Sequence, residues 1–370
     1  MGVVKLGDVA RESRLKWTKS KQDVPIVGLE HLIPDEIRFD PYDINTDNTF
    51  SKRFVKGQVL FGRRRAYQRK AAIAEFGGIC SGDITVIQAI ERKMVPELLP
   101  FIIQTPVFFD YANRGSAGSL SPRVKWEHLA DYEFELPPLE EQKILADKLW
   151  AAYRLKEAYK KLLVATDEMV KSQFIEMFGN CKSQGTLSSL CATFIDGDWI
   201  ESKDQSDNGI RLIQTGNVGF GFFKGREDKS RYITEETFKK LNCTEVVPGD
   251  ILISRLPDPI GRACIVPEGI GKAITAVDCT IVRLNATLLP EFLISFSKTA
   301  LYASQINKIK TGTTRLRVSR GNLGNVIIPI PPIESQHHFA AIAQQADKSK
   351  FELKQCIEHI DKVIKSLING

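Results

Sequence analysis

The chain holds 370 residues, 43% of them hydrophobic and 26% charged. Those proportions belong to a folded globular protein and exclude a collagen-like, low-complexity or disordered chain, while the length favours two domains. No apolar run is long enough to span a bilayer, and no signal-peptide pattern is read at the start. The seven cysteines form no CxxC pair and the five histidines are scattered, so neither a disulfide framework nor a metal site is expected, and the expected location is the cytoplasm.

In chain order, short apolar runs come first, at Ile26 to Leu29, Val59 to Gly62 and Asp83 to Ile87. Gly, Pro, Asn and Asp separate them, as in strands joined by turns. The formal net charge is only +6, yet Ser51 to Cys80 holds eight basic residues against one acid, Glu75. A local basic tract on a nearly neutral protein points to a polyanion partner, most often nucleic acid. A short helix is expected around Pro96 to Tyr111, followed by a polar loop, Gly115-Ser116-Ala117-Gly118-Ser119. Tyr111 to Trp126 holds three basic residues and no acid. A last apolar strand runs into Pro137-Pro138, a pair that ends strand pairing and can open a helix. From Glu140 to Phe178 no helix breaker occurs, and Gly179-Asn180 stops the run. The expected seam of this helix is Leu145, Ala152, Leu155, Tyr159, Leu162, Thr166 and Met169, flanked by Leu149, Leu163, Val170 and Phe174.

The same succession then recurs. Apolar runs fall at Leu212 to Gln214, Asp250 to Ser254 and Thr280 to Leu284. A short helix is expected around Pro290 to Ile306, then the loop Thr311-Gly312-Thr313-Thr314, then Pro331-Pro332. Phe292 to Ile333 holds six basic residues and no acid. The last helix has apolar or small residues at Phe339, Ile342, Ala346, Ser349, Leu353, Cys356, Ile360, Val363 and Leu367, alternating steps of three and four as in a coiled coil.

The order recurs because the sequence repeats. Shifted by 194 residues, Pro96-Glu97 falls on Pro290-Glu291, Asn113 on Asn307, Gly118 on Gly312, Arg123-Val124 on Arg317-Val318 and Gln142 on Gln336. With a slightly different shift, Val55 to Leu60 matches Val247 to Leu252, and Asp83 to Val86 matches Asp278 to Ile281. The expected fold class is α+β, with two repeated β-rich globular domains, each followed by a long helix. Neither helix can bury its seam alone, so the two are expected to pair as an antiparallel coiled coil. The boundaries are residues 1–139 and 181–333 for the globular domains, and 140–180 and 334–370 for the helices. At about 1.5 Å per residue the first helix is roughly 58 Å long, a length suited to a spacer.

Two β-rich modules that end in Leu136-Pro137-Pro138-Leu139-Glu140-Glu141-Gln142 and Ile330-Pro331-Pro332-Ile333-Glu334-Ser335-Gln336 resemble, along the whole chain, the specificity subunit of type I restriction–modification systems. Ser335 departs from the commoner glutamate, as a tolerated surface change. The resemblance implies a non-catalytic subunit with no cofactor. Its two target-recognition domains would each read one half of a split sequence in double-stranded DNA. Its helices would space the domains and bind two modification (adenine methyltransferase) subunits, with restriction subunits as a further partner and no membrane.

Such recognition needs Lys and Arg toward phosphates, and Arg, Gln, Asn, Ser or Thr toward base edges. The first module offers Arg63, Arg64, Arg65, Tyr67, Gln68, Arg69 and Lys70, then Arg114, Ser116, Ser119, Arg123 and Lys125 in the late loop. The second offers Arg255 and Arg262, then Lys308, Lys310, Thr311, Thr313, Thr314, Arg315, Arg317 and Arg320. Arg123 and Arg317 coincide in the repeat and are expected to hold the backbone or the fold rather than to read sequence.

Other readings weigh less. Asp40-Pro41-Tyr42 lacks the second proline of the amino-methyltransferase motif. Asp83 with Glu91 and Lys93 has the spacing of a metal-dependent endonuclease, but the second repeat keeps only Asp278. A coiled-coil tether that never reads DNA is the remaining alternative.

Overall fold

A computed structural model describes residues 2–118 and 120–369. Ser119, one of the candidate contacts, lies outside them. Two compact units are formed, one from the residues up to Tyr159 together with those from Gln355 onward, the other from Lys160 to Lys354.

In the first unit, four antiparallel strands lie in the order Ala10–Glu12, Ile84–Ala89, Val59–Gly62, Ala71–Ile73. Both faces of this sheet are covered, which is why its central strands read as unbroken apolar runs. Val59, Phe61 and Ile87 pack with Phe101, Phe108, Phe109 and Leu149. The alternate residues Leu60, Ile84 and Val86 pack on the other face with Val27, Phe39 and Phe54. The second unit repeats the design, with the order Cys191–Asp196, Cys279–Leu284, Ile251–Ser254, Ala263–Ile265. There Ile251, Ile253 and Val282 face Phe292 and Phe296, while Leu252 and Ile281 face Ile213 and Val246.

Each unit also has a three-stranded sheet built on one parallel pair, Ile26–Val27 with Gly78–Cys80 and Ile210–Ile213 with Ala273–Thr275. The third strand differs. Lys52–Phe54 joins the later member of its pair, whereas Tyr232–Ile233 joins the earlier one. The divergence of the repeat therefore reaches the topology of the smaller sheet and leaves that of the larger one unchanged.

The short helix expected in each module is two helices, Leu99–Ile103 then Pro106–Arg114, and Pro290–Ser297 then Ala300–Ile309. The break is chemical. Thr105 and Thr299, equivalent in the repeat, are N-caps whose side chains accept from Phe108 N and Tyr302 N, both at 3.2 Å. Each cap satisfies one otherwise orphaned donor and restarts the helix.

The proline–glutamate phrases end in glutamines that lock each long helix to its module. Gln142 is 2% exposed. Its Oε1 accepts from Val95 N at 2.9 Å and its Nε2 donates to Pro137 O at 2.8 Å. Gln336 is fully buried, accepts from Leu289 N at 2.8 Å and donates to Pro331 O at 2.8 Å and Thr287 O at 2.9 Å. A buried amide with both ends paired ties three segments together.

The long helices span Leu139–Phe178 and Ile333–Asn369. They pair antiparallel within each unit: Lys156 Nζ meets Asp361 Oδ1 at 2.7 Å in the first, and Lys350 Nζ meets Asp167 Oδ1 at 2.9 Å in the second. The inward line of the first helix keeps Leu145, Ala152, Tyr159 and Thr166 of the expected seam, together with the flanking Leu149 and Phe174, but not its other three residues. Leu149 and Tyr153 are buried in the first unit, and Phe174 and Phe178 in the second, whereas Leu155, Leu162 and Met169 are 46%, 50% and 51% exposed. On the second helix Phe339, Ala346 and Ile360 are buried as expected, but Cys356 and Val363 face outward and Ile357 and Ile364 turn in. Lys156 interrupts the inward row of Leu149, Leu163 and Val170, so the outward Leu155 and Leu162 gave the stronger apolar pattern.

Candidate nucleic-acid interface

In the first module the basic tract leaves the strand Val59–Gly62 and turns at Ala66–Gln68, flanked by Arg65 and Arg69 in left-handed conformation at φ of 54° and 56°. The late loop closes on itself. Ala117 N donates to Arg123 O at 3.0 Å and Arg123 N to Ala117 O at 2.9 Å. It is then laid against the tract: Arg65 N donates to Pro122 O at 2.8 Å, Val124 N to Arg63 O at 3.0 Å, and Arg64 Nη2 to Ser121 Oγ at 2.9 Å. Asp83 sits beneath, its Oδ1 accepting from Arg123 Nε at 2.7 Å and its Oδ2 lying 3.4 Å from Arg64 Nη1. Burial pushes the Asp83 carboxyl up, but the two guanidinium groups outweigh this and hold it below the usual carboxylate value. Two basic segments far apart in sequence thereby become one surface.

The second module builds the same loop. Thr311 and Arg317 exchange both backbone hydrogen bonds at 2.9 Å, and Val318 N donates to Arg255 O at 3.2 Å. Gly118 and Gly312 take φ of 115° and 104° at matching positions. A Cβ at Gly312 would lie 2.6 Å from the Arg315 carbonyl oxygen, so both the conformation and the space demand glycine.

The candidate residues divide by environment. Tyr67, Arg114, Arg123 and Lys125 are exposed in the first module, and Lys308, Thr311, Thr313, Thr314, Arg315, Arg317 and Arg320 in the second. Gln68 and Arg63 are half-buried. Lys70 Nζ donates to Leu29 O at 2.7 Å, Ser116 Oγ to Ala112 O at 3.1 Å, and Arg69 Nε lies 2.7 Å from Asp35. Lys310 pairs with Asp258.

Arg255 and Arg262 prove to be internal braces. Arg255 reaches Val277 O at 2.6 Å, Val318 O at 3.1 Å and Asp196 at 3.2 Å. Arg262 is 8% exposed and donates to Val218 O, Pro257 O, Pro259 O, Thr215 O and Ser254 Oγ. Burial pulls its guanidinium below the ordinary arginine value. Each spends its donors on loop carbonyls, which is the price of holding a ladder-free backbone in place, and so leaves the set that faces a ligand.

Two residues outside the expected set, Asp83 and Leu120, stand on the first surface, and a third, Trp199, is an exposed aromatic of the second module. Asp83 is the hinge of the first surface. Leu120, at the tip of its loop, is 90% exposed, and Trp199, after the Asp196-Gly197-Asp198 turn, is 71% exposed. A lone leucine in a polar loop was the available signal for Leu120. Among the described residues, one group of metal-type ligands occurs, Glu30, His31 and Asp43. There His31 Nδ1 accepts from Gly28 N at 2.9 Å, which leaves the proton of the neutral ring on Nε2, the nitrogen a metal would need.

Each module therefore presents an acid-poor surface of braced loops on a sheet buried on both faces, the build of a recognition domain in duplicate. The sequence model of the Type I restriction modification DNA specificity domain matches residues 1–163 and again 185–362. The chain belongs to this family, as a type I restriction–modification specificity subunit, a DNA-recognition component.

Relatives are distant. The specificity subunit of the EcoDI type I restriction enzyme of Escherichia coli is 30% identical over 89 residues, 24% of this chain and 19% of that subunit. The putative MjaX specificity subunit of Methanocaldococcus jannaschii is 20% identical over 381 residues, 96% of this chain and 87% of that one. Among solved structures, the S subunit of the type I system from M. genitalium superposes with a TM-score of 0.60 at 10% identity, covering 100% of this chain and 95% of that one, a likeness of fold. No helix among the described residues is long and apolar enough to cross a membrane.

Proposed function

We propose that each module reads one half of a split sequence in double-stranded DNA, and that the chain itself performs no chemistry. Its long helices set the gap between the half-sites and carry two adenine methyltransferase subunits, with restriction subunits joining the same cytoplasmic assembly. The observation that carries this reading is the matched pair of pinned loops. Residues 117–123 and 311–317 share one hydrogen-bonded frame, yet their tips carry unlike side chains, as suits readers of two different half-sites. In this reading Arg65, Arg114, Arg123, Lys125, Lys308, Arg315, Arg317 and Arg320 meet phosphates. Tyr67, Gln68, Ser119, Thr311, Thr313 and Thr314 approach base edges, and Arg63, Arg64, Arg69, Lys70, Ser116 and Lys310 shape the surface.

The endonuclease alternative is disfavoured because both Asp83 oxygens are already engaged by guanidinium groups. The test is sequencing of methylated adenines in cells with and without the chain. The expected result is a split motif that disappears with it. Unchanged methylation would contradict the proposal, and magnesium-dependent cutting by the purified chain alone would favour the nuclease.

A further inference from the structure

We propose that Leu120 recognises the 5-methyl group of a thymine in the major groove, which makes it a specificity-determining residue of the first module. The inference rests on the DNA-reading function proposed above. Leu120 is the most exposed large hydrophobic residue among those described, at 90%, and in water it forfeits the gain of burying its side chain.

The loop holds the backbone on the far side of this residue in place. Its base is closed by the two Ala117–Arg123 hydrogen bonds. Its far limb is fixed to the basic tract through Pro122 O, Ser121 Oγ and Val124 N. The surroundings are cationic, with Arg114, Arg123 and Lys125 exposed on the same segment. An exposed apolar residue, flanked on one side by a pinned limb, thus stands among phosphate-seeking groups where those groups would meet DNA.

Chemistry narrows what the tip can read. Leucine has no donor or acceptor, so the hydrogen-bonding pattern of a base edge is invisible to it. The one apolar feature on the major-groove edge of the four bases is the thymine methyl. In the second module the equivalent position is Thr314, also exposed, whose hydroxyl can donate or accept. The shared frame therefore presents an apolar reader in one module and a hydrogen-bonding reader in the other. The other use of such a leucine, a wedge driven between base steps, would unstack the duplex.

The experiment uses the full chain, purified with its modification subunits, on duplexes carrying the motif found by methylation sequencing. Each thymine of the half-site read by the first module is replaced in turn by deoxyuridine, which removes only the methyl. At one position the wild type is expected to bind about fourfold more weakly, the factor for one methyl-sized group taken from water. Leu120→Ala is expected to bind the thymine and deoxyuridine duplexes alike at that position. Its lost side chain supports no fold contact, so circular dichroism should match the wild type.

A half-site without thymine, or a Leu120→Ala protein that still discriminates at every position, overturns the assignment and leaves the DNA-reading function standing. So does a rise in 2-aminopurine fluorescence at a base step that depends on Leu120, which would identify a wedge. A wild type that binds motif and scrambled duplexes equally overturns the parent function, and this inference with it.

Discussion

Neutralising the unpaired cations of the first module should flatten the salt dependence of DNA binding by a calculable amount. Among the described residues, Arg65, Arg114 and Lys125 make no ion pair, and the latter two are exposed. Each phosphate contact contributes about −0.9 to the slope of log affinity against log salt. The variant Arg65→Ala/Arg114→Ala/Lys125→Ala should therefore have a slope shallower by about 2.7. Between roughly 50 and 200 mM salt, the wild type should lose about 40-fold more affinity than the variant. The weakening should be similar for motif and non-motif duplexes, because phosphates carry no sequence. Arg69→Ala is the contrasting case. Its guanidinium pairs with Asp35 and lies 5.7 Å from the Phe109 ring centroid, so its removal should leave the slope unchanged. Fluorescence-anisotropy titration at four salt concentrations measures both. An unchanged slope in the triple variant would place this surface away from DNA.

Arg262→Ala removes the buried donor shared by four loop carbonyls and should destabilise the second module by roughly 3 kcal/mol; a normal denaturation midpoint with weakened DNA binding would instead return Arg262 to the interface. Gln142→Ala and Gln336→Ala each strand a part-buried N–H and the carbonyls the amide donates to, at a cost of about 2–4 kcal/mol. Amide exchange should accelerate at Val95 in one variant and at Leu289 in the other, and protection retained at both would disprove the locking role. Asp83 has its folded pKa below the unfolded value of about 3.9. Its contribution is thus complete above that value and lost as pH falls through the lower folded one. Asp83→Asn should remove this part of the acid-side loss of stability, and a variant that differs from the wild type only at alkaline pH would contradict the assignment.

Much of this organisation is legible in the sequence because the repeat preserves what the backbone requires. Gly57 and Gly249 both take φ of 89° in turns where Gln58 and Asp250 accept from Val55 N and Val247 N. The turn is kept although an amide in one module is a carboxylate in the other. Gln142 and Gln336 stand out for the same reason. One half of the helix seam was less legible, because Lys156 occupies an inward position as an ion-pair partner while Leu155 and Leu162 face outward. Arg255 and Arg262 read as free cations because several of the carbonyls they satisfy, Val277 and Val318 for the first and Thr215 and Val218 for the second, come from loops remote in sequence. Asp83 has a nuclease-like spacing in the sequence because its partners Arg64 and Arg123 lie 19 and 40 residues away and meet it only in the fold.

The most direct test of two independent readers is an exchange of modules. Residues 25–121 are replaced by the corresponding segment of a relative with a different motif, and methylated sites are sequenced genome-wide. The account predicts that one half of the split motif changes while the other half is retained. A change in both halves, or in neither, would contradict it.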